Sequence, residues 1–340
     1  MLFESIKIGN LILKNRVIAE PIVSSGGVNG GIPTEEVLDQ YSSYASSGVG
    51  MIVIEQHAIH PWGRNRNTQF RLYSDEGAKS LQPLTKIFRD ADIPVVAQLN
   101  FSGAGVSALG KDLLNEPDFK LVSPSGLRNP RDLVEADSEA LDIKMIPEII
   151  DSFAQAAIRA VNIAQYNGGV QIYGCHGYLL GQFLSPLTNH RTDKYGGSLQ
   201  NRARLLLEVT EAVRAAVPNA NVSVRLGASD QMPGQLENGL ALSESKWIAK
   251  ELTALRIDWL GISGNHCIYG IGEDDNDTAY FAPYAAAIHK ELEGTNIPLD
   301  CAGGIRSRQT ADHLLASGVC DLIGIGRPLL KDKEFIHKMK

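Results

Sequence analysis

Eight short apolar segments recur along this chain, and helical stretches separate them. Each segment is almost continuously apolar, as expected for a strand that is buried on both faces of a parallel sheet. The predicted strands cover residues 17–22, 51–55, 94–99, 170–172, 223–226, 258–262, 298–302 and 322–325. Eight strands that alternate with helices predict an α/β fold, a closed (β/α)8 TIM barrel.

Helix signals lie between these segments. Thr34, followed by Glu35 and Glu36, is typical of a capped helix start, and Gly48 is a natural stop. Further helices are predicted over residues 148–165, 198–216, 243–255, 282–293 and 307–316. Residues 103–142 lack clear periodicity and contain three prolines, which predicts an extended excursion after the third strand. A loop of this length in a compact enzyme is usually functional, often as a lid.

Length and charge limit the classes of protein and partner. The chain has 340 residues, and a TIM barrel typically takes roughly 250, so we expect residues 1–340 to form a single decorated barrel domain. The formal net charge of -7 provides no basic field for nucleic acid or anionic lipid. We therefore expect a small-molecule substrate, with no nucleic acid or membrane as partner. The number of subunits stays open, and a homo-oligomer is among the options.

Cysteine spacing and the N-terminal sequence bear on metal content and location. Cys175, Cys267, Cys301 and Cys320 form no CxxC pair, so neither zinc nor an iron–sulfur cluster is indicated, and a reducing compartment fits best. The first residues include Glu4 and only short apolar runs, unlike a targeting sequence. No run approaches the length of a membrane span, and we expect a cytoplasmic protein.

Candidate site residues follow from the predicted barrel, because barrel active sites lie at the C-terminal ends of the strands. The residues at those ends are Pro21, Ile22, Val23, Glu55, Gln56, Gln98, Tyr173, His176, Arg225, His266, Gly303, Gly304, Gly326 and Arg327.

The last four of these residues suggest a phosphate site. Glycine allows backbone amides to approach a ligand closely, and arginine supplies charge-assisted hydrogen bonds. Loops after the seventh and eighth strands of barrels commonly bind phosphate. Tight turns before helices would explain one such sequence, but two at adjacent strands favour phosphate.

The most distinctive run covers residues 174–197 and reads GCHGYLLGQFLSPLTNHRTDKYGG. His176 and Tyr178 follow a predicted strand, where their side chains can point into a shared cavity. Glycines flank this step and Pro186 interrupts the run, so it is too irregular for a core helix.

This run resembles the HGYLxxxFLSPLxNxRxDxYGG signature of the old yellow enzyme family, which comprises FMN-dependent ene reductases and NADH:flavin oxidoreductases. The resemblance extends from residues 8–16 to residues 324–328. It implies FMN as cofactor, NAD(P)H as electron donor, and reduction of the activated C=C bond of α,β-unsaturated carbonyl compounds. Hydride would pass from the nicotinamide to flavin N5 and then to the substrate.

The resemblance assigns the FMN phosphate to Gly303, Gly304, Gly326 and Arg327. The other cofactor contacts that it implies are Pro21, Ile22, Val23, Gln56, Gln98 and Arg225. Arg225 lies in an apolar strand, where an unpaired guanidinium is costly. It either stabilises negative charge near the flavin pyrimidine, with Gln98 as a second ligand, or forms a buried ion pair with a carboxylate such as Glu55.

Substrate contacts are expected at His176, Tyr173 and His266. His176 would hold the substrate carbonyl oxygen and stabilise the charge that develops there. Tyr178 would protonate the neighbouring carbon. Outside the family signature, a structural histidine and a packed tyrosine would be the simpler interpretation. His266 either assists substrate binding or faces solvent.

Several positions depart from the family pattern. Tyr173 occupies the place of a second histidine in an HxxH arrangement, and a phenol can still donate a hydrogen bond. Val23 stands where one bacterial branch has a cysteine, and Ser25 stands where that branch has a tyrosine. Phe101 replaces a histidine that often follows Gln98.

Other activities remain open at this stage. A reductase of dienoyl thioesters or steroid-like enones would share the chemistry, but its larger relatives carry a cysteine-rich cluster and dinucleotide domains beyond the length of this chain. A metal-dependent hydrolase could use Glu55, His57, His60 and His176, although the spacing is no recognised ligand frame. A Schiff-base aldolase needs a strand lysine, and the eight segments contain none.

Overall fold

The computed structural model describes residues 1–23, 28–130, 135–231, 237–266 and 276–340. Eight parallel strands close into a barrel in chain order, so the first strand pairs with the second and the eighth. The strands are β1 (Val17–Ala19), β2 (Met51–Ala58), β3 (Val95–Asn100), β4 (Gly169–Gly174), β5 (Val222–Gly227), β6 (Trp259–Ser263), β7 (Leu299–Ala302) and β8 (Leu322–Ile325). All eight predicted strands are confirmed.

Helices cover the outside of the barrel. They are α1 (Glu35–Ala45), α2 (Asp75–Ser80), α3 (Gln82–Asp90), α4 (Ile146–Ile158), α5 (Leu179–Leu184), α6 (Leu199–Ala216), α7 (Leu242–Ala254), α8 (Ala282–Glu291), α9 (Arg308–Ala316), α10 (Arg327–Lys331) and α11 (Phe335–Lys338). A π-helical turn at Arg159–Ile163 continues α4. The six predicted helices are confirmed, and Thr34 caps α1 as predicted.

A hairpin of Ile6–Ile8 and Leu11–Leu13 closes the N-terminal end of the barrel. Ile8 and Leu13 are fully buried in one apolar cluster with residues from the barrel strands, among them Met51 and Trp259. These side chains fill the barrel interior at that end. Access to the interior is therefore from the C-terminal ends of the strands.

The excursion after β3 contains more regular structure than the sequence indicated. A 3₁₀ helix covers Ala108–Asn115, and Val122–Ser123 pairs in parallel with Glu139–Ala140.

Within the described ranges given above, no helix is long and apolar enough to cross a membrane.

Ser198 caps the 18-residue helix α6, since its hydroxyl accepts a hydrogen bond from the backbone N–H of Asn201 at 3.3 Å. We expect Ser198→Ala to lower the free energy of unfolding by about 1 kcal/mol, and Ser198→Gly by only a few tenths. Urea unfolding of both variants measures the difference. Equal losses in the two variants would show that the cap contributes little.

Candidate active site

A cavity of about 430 Å³ opens at the C-terminal ends of the strands. We call it the mouth cavity. Its wall includes thirteen of the fourteen strand-end residues singled out in the sequence: Pro21, Ile22, Val23, Glu55, Gln56, Gln98, Tyr173, His176, Arg225, Gly303, Gly304, Gly326 and Arg327. Tyr178 also lines it. Residues that are far apart in the chain therefore meet in one site of the size typical for cofactors.

Two consecutive glycines shape one end of the mouth cavity. Gly303 has a φ of 95° and Gly304 a φ of 71°, in the left-handed region that favours glycine. A Cβ at Gly303 would lie 2.5 Å from the Tyr280 ring, and one at Gly304 would lie 2.6 Å from the Thr278 hydroxyl. Arg327 lines the same cavity, and its Nη2 is 3.4 Å from the Tyr280 hydroxyl. Backbone amides and a guanidinium are thus available to an anionic group here.

Arg225 forms a buried ion pair, but with a carboxylate that the sequence analysis did not name. Its Nη1 is 2.5 Å from Oε2 of Glu20, and both side chains are 9% exposed. Glu55, the partner suggested from sequence, instead binds Arg66 at 2.5 Å. Burial would lower the Arg225 pKa, but the negative charge of Glu20 raises that pKa overall. Arg225 stays charged at the cavity wall.

Glu20 is thus a site residue that sequence reasoning missed. It lies directly after β1 and before Pro21, and it lines the mouth cavity. The sequence feature that could have identified Glu20 is a carboxylate at the end of an apolar strand, because a buried charge needs a partner.

A shift of register brings two neighbouring residues of β2 to the cavity. The pairing of β2 with β3 is irregular between Ile54 and His57. Glu55 and Gln56 lie within this irregularity, and both line the cavity. Bulges commonly redirect side chains next to active sites.

The turn from β4 into α5 presents the histidine and tyrosine of the signature. His176 and Gly177 have φ values of 58° and 69°, and two left-handed residues in sequence reverse the chain sharply. The Tyr173 hydroxyl is 2.5 Å from His176 Nδ1, and His176 Nε2 is 2.5 Å from Ser263 Oγ. Ser263 ends β6 and was missed from sequence, because a serine at a strand end is not distinctive. Each imidazole nitrogen therefore has a hydroxyl neighbour at the cavity wall.

The Tyr178 hydroxyl lies in a cluster of amides. It accepts hydrogen bonds from Gln56 Nε2 at 3.1 Å and from Asn65 Nδ2 at 3.3 Å. Gln56 is in turn fixed by Asn100, whose Nδ2 donates to Gln56 Oε1 at 2.5 Å. The ring centroids of Tyr173 and Tyr178 are 5.0 Å apart, so both phenols face one region of the cavity.

His266 does not face solvent. Its side chain is fully buried, it is not part of the cavity wall, and its Nδ1 is 2.7 Å from Asp230 Oδ1. Burial tends to raise the Asp230 pKa, but the hydrogen bond from His266 and further donors hold it below its usual value. The alternative of a solvent-facing ring is wrong, because the side chain is buried against Asp230. The expected substrate contact of His266 stays a prediction. Cys267 and Ser25 lie outside the described residues.

The two histidines after β2 have structural partners. His57 Nε2 is 2.6 Å from the Tyr166 hydroxyl, and burial lowers the His57 pKa to about 3. His60 Nδ1 accepts from the Trp62 backbone N–H. The part of the chain that the structure describes contains no group of three or more His, Cys, Asp or Glu side chains arranged to hold a metal ion.

A barrel with this mouth suits a flat, phosphorylated redox cofactor. Two glycines and the guanidinium of Arg327 lie at one end of the cavity, and the guanidinium of Arg225 and the amide of Gln98 lie in the same wall. These features are characteristic of a barrel that binds a flavin mononucleotide.

Comparison with known proteins gives the same class. The model of the NADH:flavin oxidoreductase / NADH oxidase family matches residues 1–340, and the chain belongs to this family. It is an FMN-dependent oxidoreductase of the old yellow enzyme type that takes electrons from NADH or NADPH.

Individual relatives include proteins of similar length and one in which this chain spans about half of the protein. The chain is 30% identical over 336 residues to an NADPH dehydrogenase of Bacillus subtilis, covering 98% of this chain and 92% of that protein. It is 31% identical over 343 residues to an NADH oxidase of Thermoanaerobacter brockii, covering all of this chain but only 50% of that protein. The structure of an old yellow enzyme homologue from Zymomonas mobilis superposes with a TM-score of 0.81, at 27% identity and with 99% and 91% of the two chains covered.

Proposed function

We propose that this enzyme reduces the activated C=C bond of α,β-unsaturated carbonyl compounds. The observation that carries the proposal is the grouping of Tyr173, His176 and Tyr178 on one side of the cofactor cavity. Two of these side chains can hold a carbonyl oxygen, and the third can deliver a proton. When bound, FMN would supply the hydride chemistry that links a nicotinamide to the alkene.

The residues at the two ends of the cavity support a placement of the cofactor. We assign its phosphate to the amides of Gly303 and Gly304 and to the Arg327 guanidinium, with Gly326 beside them. Arg225 and Gln98 would contact the polar edge of the flavin ring. Pro21, Ile22, Val23 and Gln56 would complete the wall around the ring.

Tyr173 and His176 would bind the substrate oxygen. Tyr173, His176 and Ser263 form one hydrogen-bonded series, so a proton on either imidazole nitrogen has an adjacent acceptor. A carbonyl oxygen that replaces one of these partners receives a hydrogen bond that strengthens as negative charge develops on it. Tyr173 thereby takes the role of the second histidine that many relatives have.

Tyr178 would protonate the substrate carbon. The amides of Gln56 and Asn65 both donate hydrogen bonds to its oxygen. These two donors also fix the position of the hydroxyl relative to the cavity. Geometry and hydrogen bonding together suit the phenol for general acid catalysis.

The test is anaerobic stopped-flow kinetics on the purified yellow protein. We expect NADH or NADPH to bleach the flavin and an enone to restore its absorbance, with the saturated carbonyl compound as product. A panel of enones, maleimides, nitro compounds and a conjugated acyl thioester would define the substrate class. Flavin that is reduced but not reoxidised by any activated alkene would contradict the proposal.

Tyr173→Phe tests the substrate-binding role. Loss of one hydrogen bond of about 1 kcal/mol predicts a decrease of roughly fivefold in kcat/KM for an enone. Tyr173→His introduces at this position the imidazole that many relatives have, and it should retain or increase kcat/KM. Flavin reduction by the nicotinamide serves as the internal reference. A Phe variant as active as the parent would remove Tyr173 from substrate binding.

A further inference from the structure

The ion pair of Glu20 and Arg225 lines the mouth cavity, and the buried carboxyl group of Asp300 belongs to the same charged cluster. Arg225 on β5 is in register with Gly261 on β6, and Gly261 is in register with Asp300 on β7. Glu20 reaches Arg225 from the end of β1, at 2.5 Å. Asp300 is 2% exposed, and the charges of both Glu20 and Arg225 act on its carboxyl group. The cluster therefore has two acids for one base.

Two glycines make room for these acids, one for each carboxyl group. A Cβ on Gly261 would lie 2.7 Å from Oδ2 of Asp300, and a Cβ on Gly324 would lie 2.4 Å from Oε1 of Glu20. Both distances are too short for any side chain, so these strand positions accept only glycine while the carboxyl groups keep their places. The local backbone is thus adapted to the carboxyl pair.

If both acids were ionised, two buried negative charges would face the single guanidinium of Arg225, and one of them would lack a compensating charge. Buried carboxyl groups in contact rarely ionise together, since each charge disfavours the other. Burial, followed by the negative charge of Glu20, raises the Asp300 pKa well above its usual value. The pair then carries one negative charge, which equals the single positive charge of Arg225.

We propose that Glu20 and Asp300 share one negative charge that neutralises Arg225 and thereby lowers the reduction potential of the bound flavin. The inference rests on the proposed placement of the flavin edge beside Arg225. Hydride transfer from the nicotinamide adds negative charge to the ring system, and an unbalanced guanidinium would stabilise that charge. A neutral cluster gives less stabilisation, so the carboxyl pair acts on the flavin through Arg225.

Measurement of the flavin midpoint potential in a double-mutant cycle tests this proposal. In Glu20→Gln the remaining Asp300 can carry the charge, and in Asp300→Asn Glu20 can do so. Each single variant should therefore change the reduction equilibrium constant less than about threefold. The double variant leaves Arg225 unbalanced and should favour reduction by at least tenfold, equivalent to about 30 mV for a two-electron couple.

Glu116→Gln is the matched control. Glu116 lies in the excursion after β3, forms an ion pair with Arg64 and does not line the mouth cavity. Its potential should equal that of the parent. Additive shifts in the cycle, or an unchanged potential in the FMN-loaded double variant, would overturn the proposal. Because the potential is measured without an alkene, its outcome is independent of whether alkenes are substrates.

Infrared spectroscopy provides a second test should the double variant not fold. The parent protein should show the carbonyl band of a buried protonated carboxyl group at neutral pH. Either single substitution should remove that band, because the remaining acid ionises beside Arg225. A band that persists in both single variants, or that is absent from the parent, would contradict charge sharing.

Discussion

Tyr178→Phe is expected to slow flavin reoxidation by an enone by 10²- to 10⁴-fold, the contribution typical of a general acid. Reduction of the flavin by the nicotinamide requires no proton from this side chain and should change by less than about threefold. Stopped-flow measurement of the two half-reactions separates these effects. The predicted asymmetry follows from the position of the hydroxyl, which Gln56 and Asn65 hold at the cavity wall.

Tyr280→Phe is the matched control for this prediction. It removes a phenol hydroxyl from the same cavity, but at the end near Gly303 and Arg327. Both half-reactions should therefore stay close to those of the parent once FMN is bound. Equal slowing of both half-reactions in Tyr178→Phe would indicate a displaced flavin and would remove Tyr178 from the role of acid.

The barrel could be predicted from sequence because each of its strands is buried on both faces. Segments such as Met51–Ala58 and Val222–Gly227 are buried at every position, and their mostly apolar sequences reflect this burial. The site residues at strand ends followed from the same argument, since closure of the barrel brings every C-terminal end to one mouth. Thirteen of the fourteen strand-end candidates line the mouth cavity for that reason.

Helix α5 could not be predicted from the sequence, because tertiary packing stabilises it and its sequence has no helical pattern. All six residues of Leu179–Leu184 are buried, and the run includes a glycine and a glutamine with no amphipathic period. Gln182 instead donates to the Gly177 carbonyl at 2.7 Å and so supports the turn that contains His176. Helices α2 and α3 were likewise absent from the prediction.

The partners in buried ion pairs also could not be predicted from the sequence. Arg225 required a buried anion, but Glu20 and Glu55 both lie at strand ends and both line the cavity. Arg66, from the loop after β2, binds Glu55 and leaves Glu20 for Arg225. His266 shows the same limitation, since its partner Asp230 lies 36 positions away along the chain.

Arg327→Ala is expected to weaken FMN binding by roughly 10- to 100-fold. Hydrogen bonds to a charged group contribute about 1.5–3 kcal/mol each, and tenfold in affinity corresponds to about 1.4 kcal/mol. The glycine amides would still hold the phosphate, so FMN should bind but be lost on dialysis. Fluorescence titration of the apoprotein with FMN measures the dissociation constant.

Arg308→Ala is the control for Arg327→Ala, because it removes a guanidinium from α9 that pairs with Asp312 outside the cavity. Its affinity for FMN should equal that of the parent. Riboflavin, which lacks the phosphate, provides a second comparison: if Arg327 binds the phosphate, its loss should leave riboflavin affinity unchanged. A parallel loss of affinity for both flavins would place Arg327 beside the ring or in a structural role, and the assignment of the phosphate to this end of the cavity would then fail.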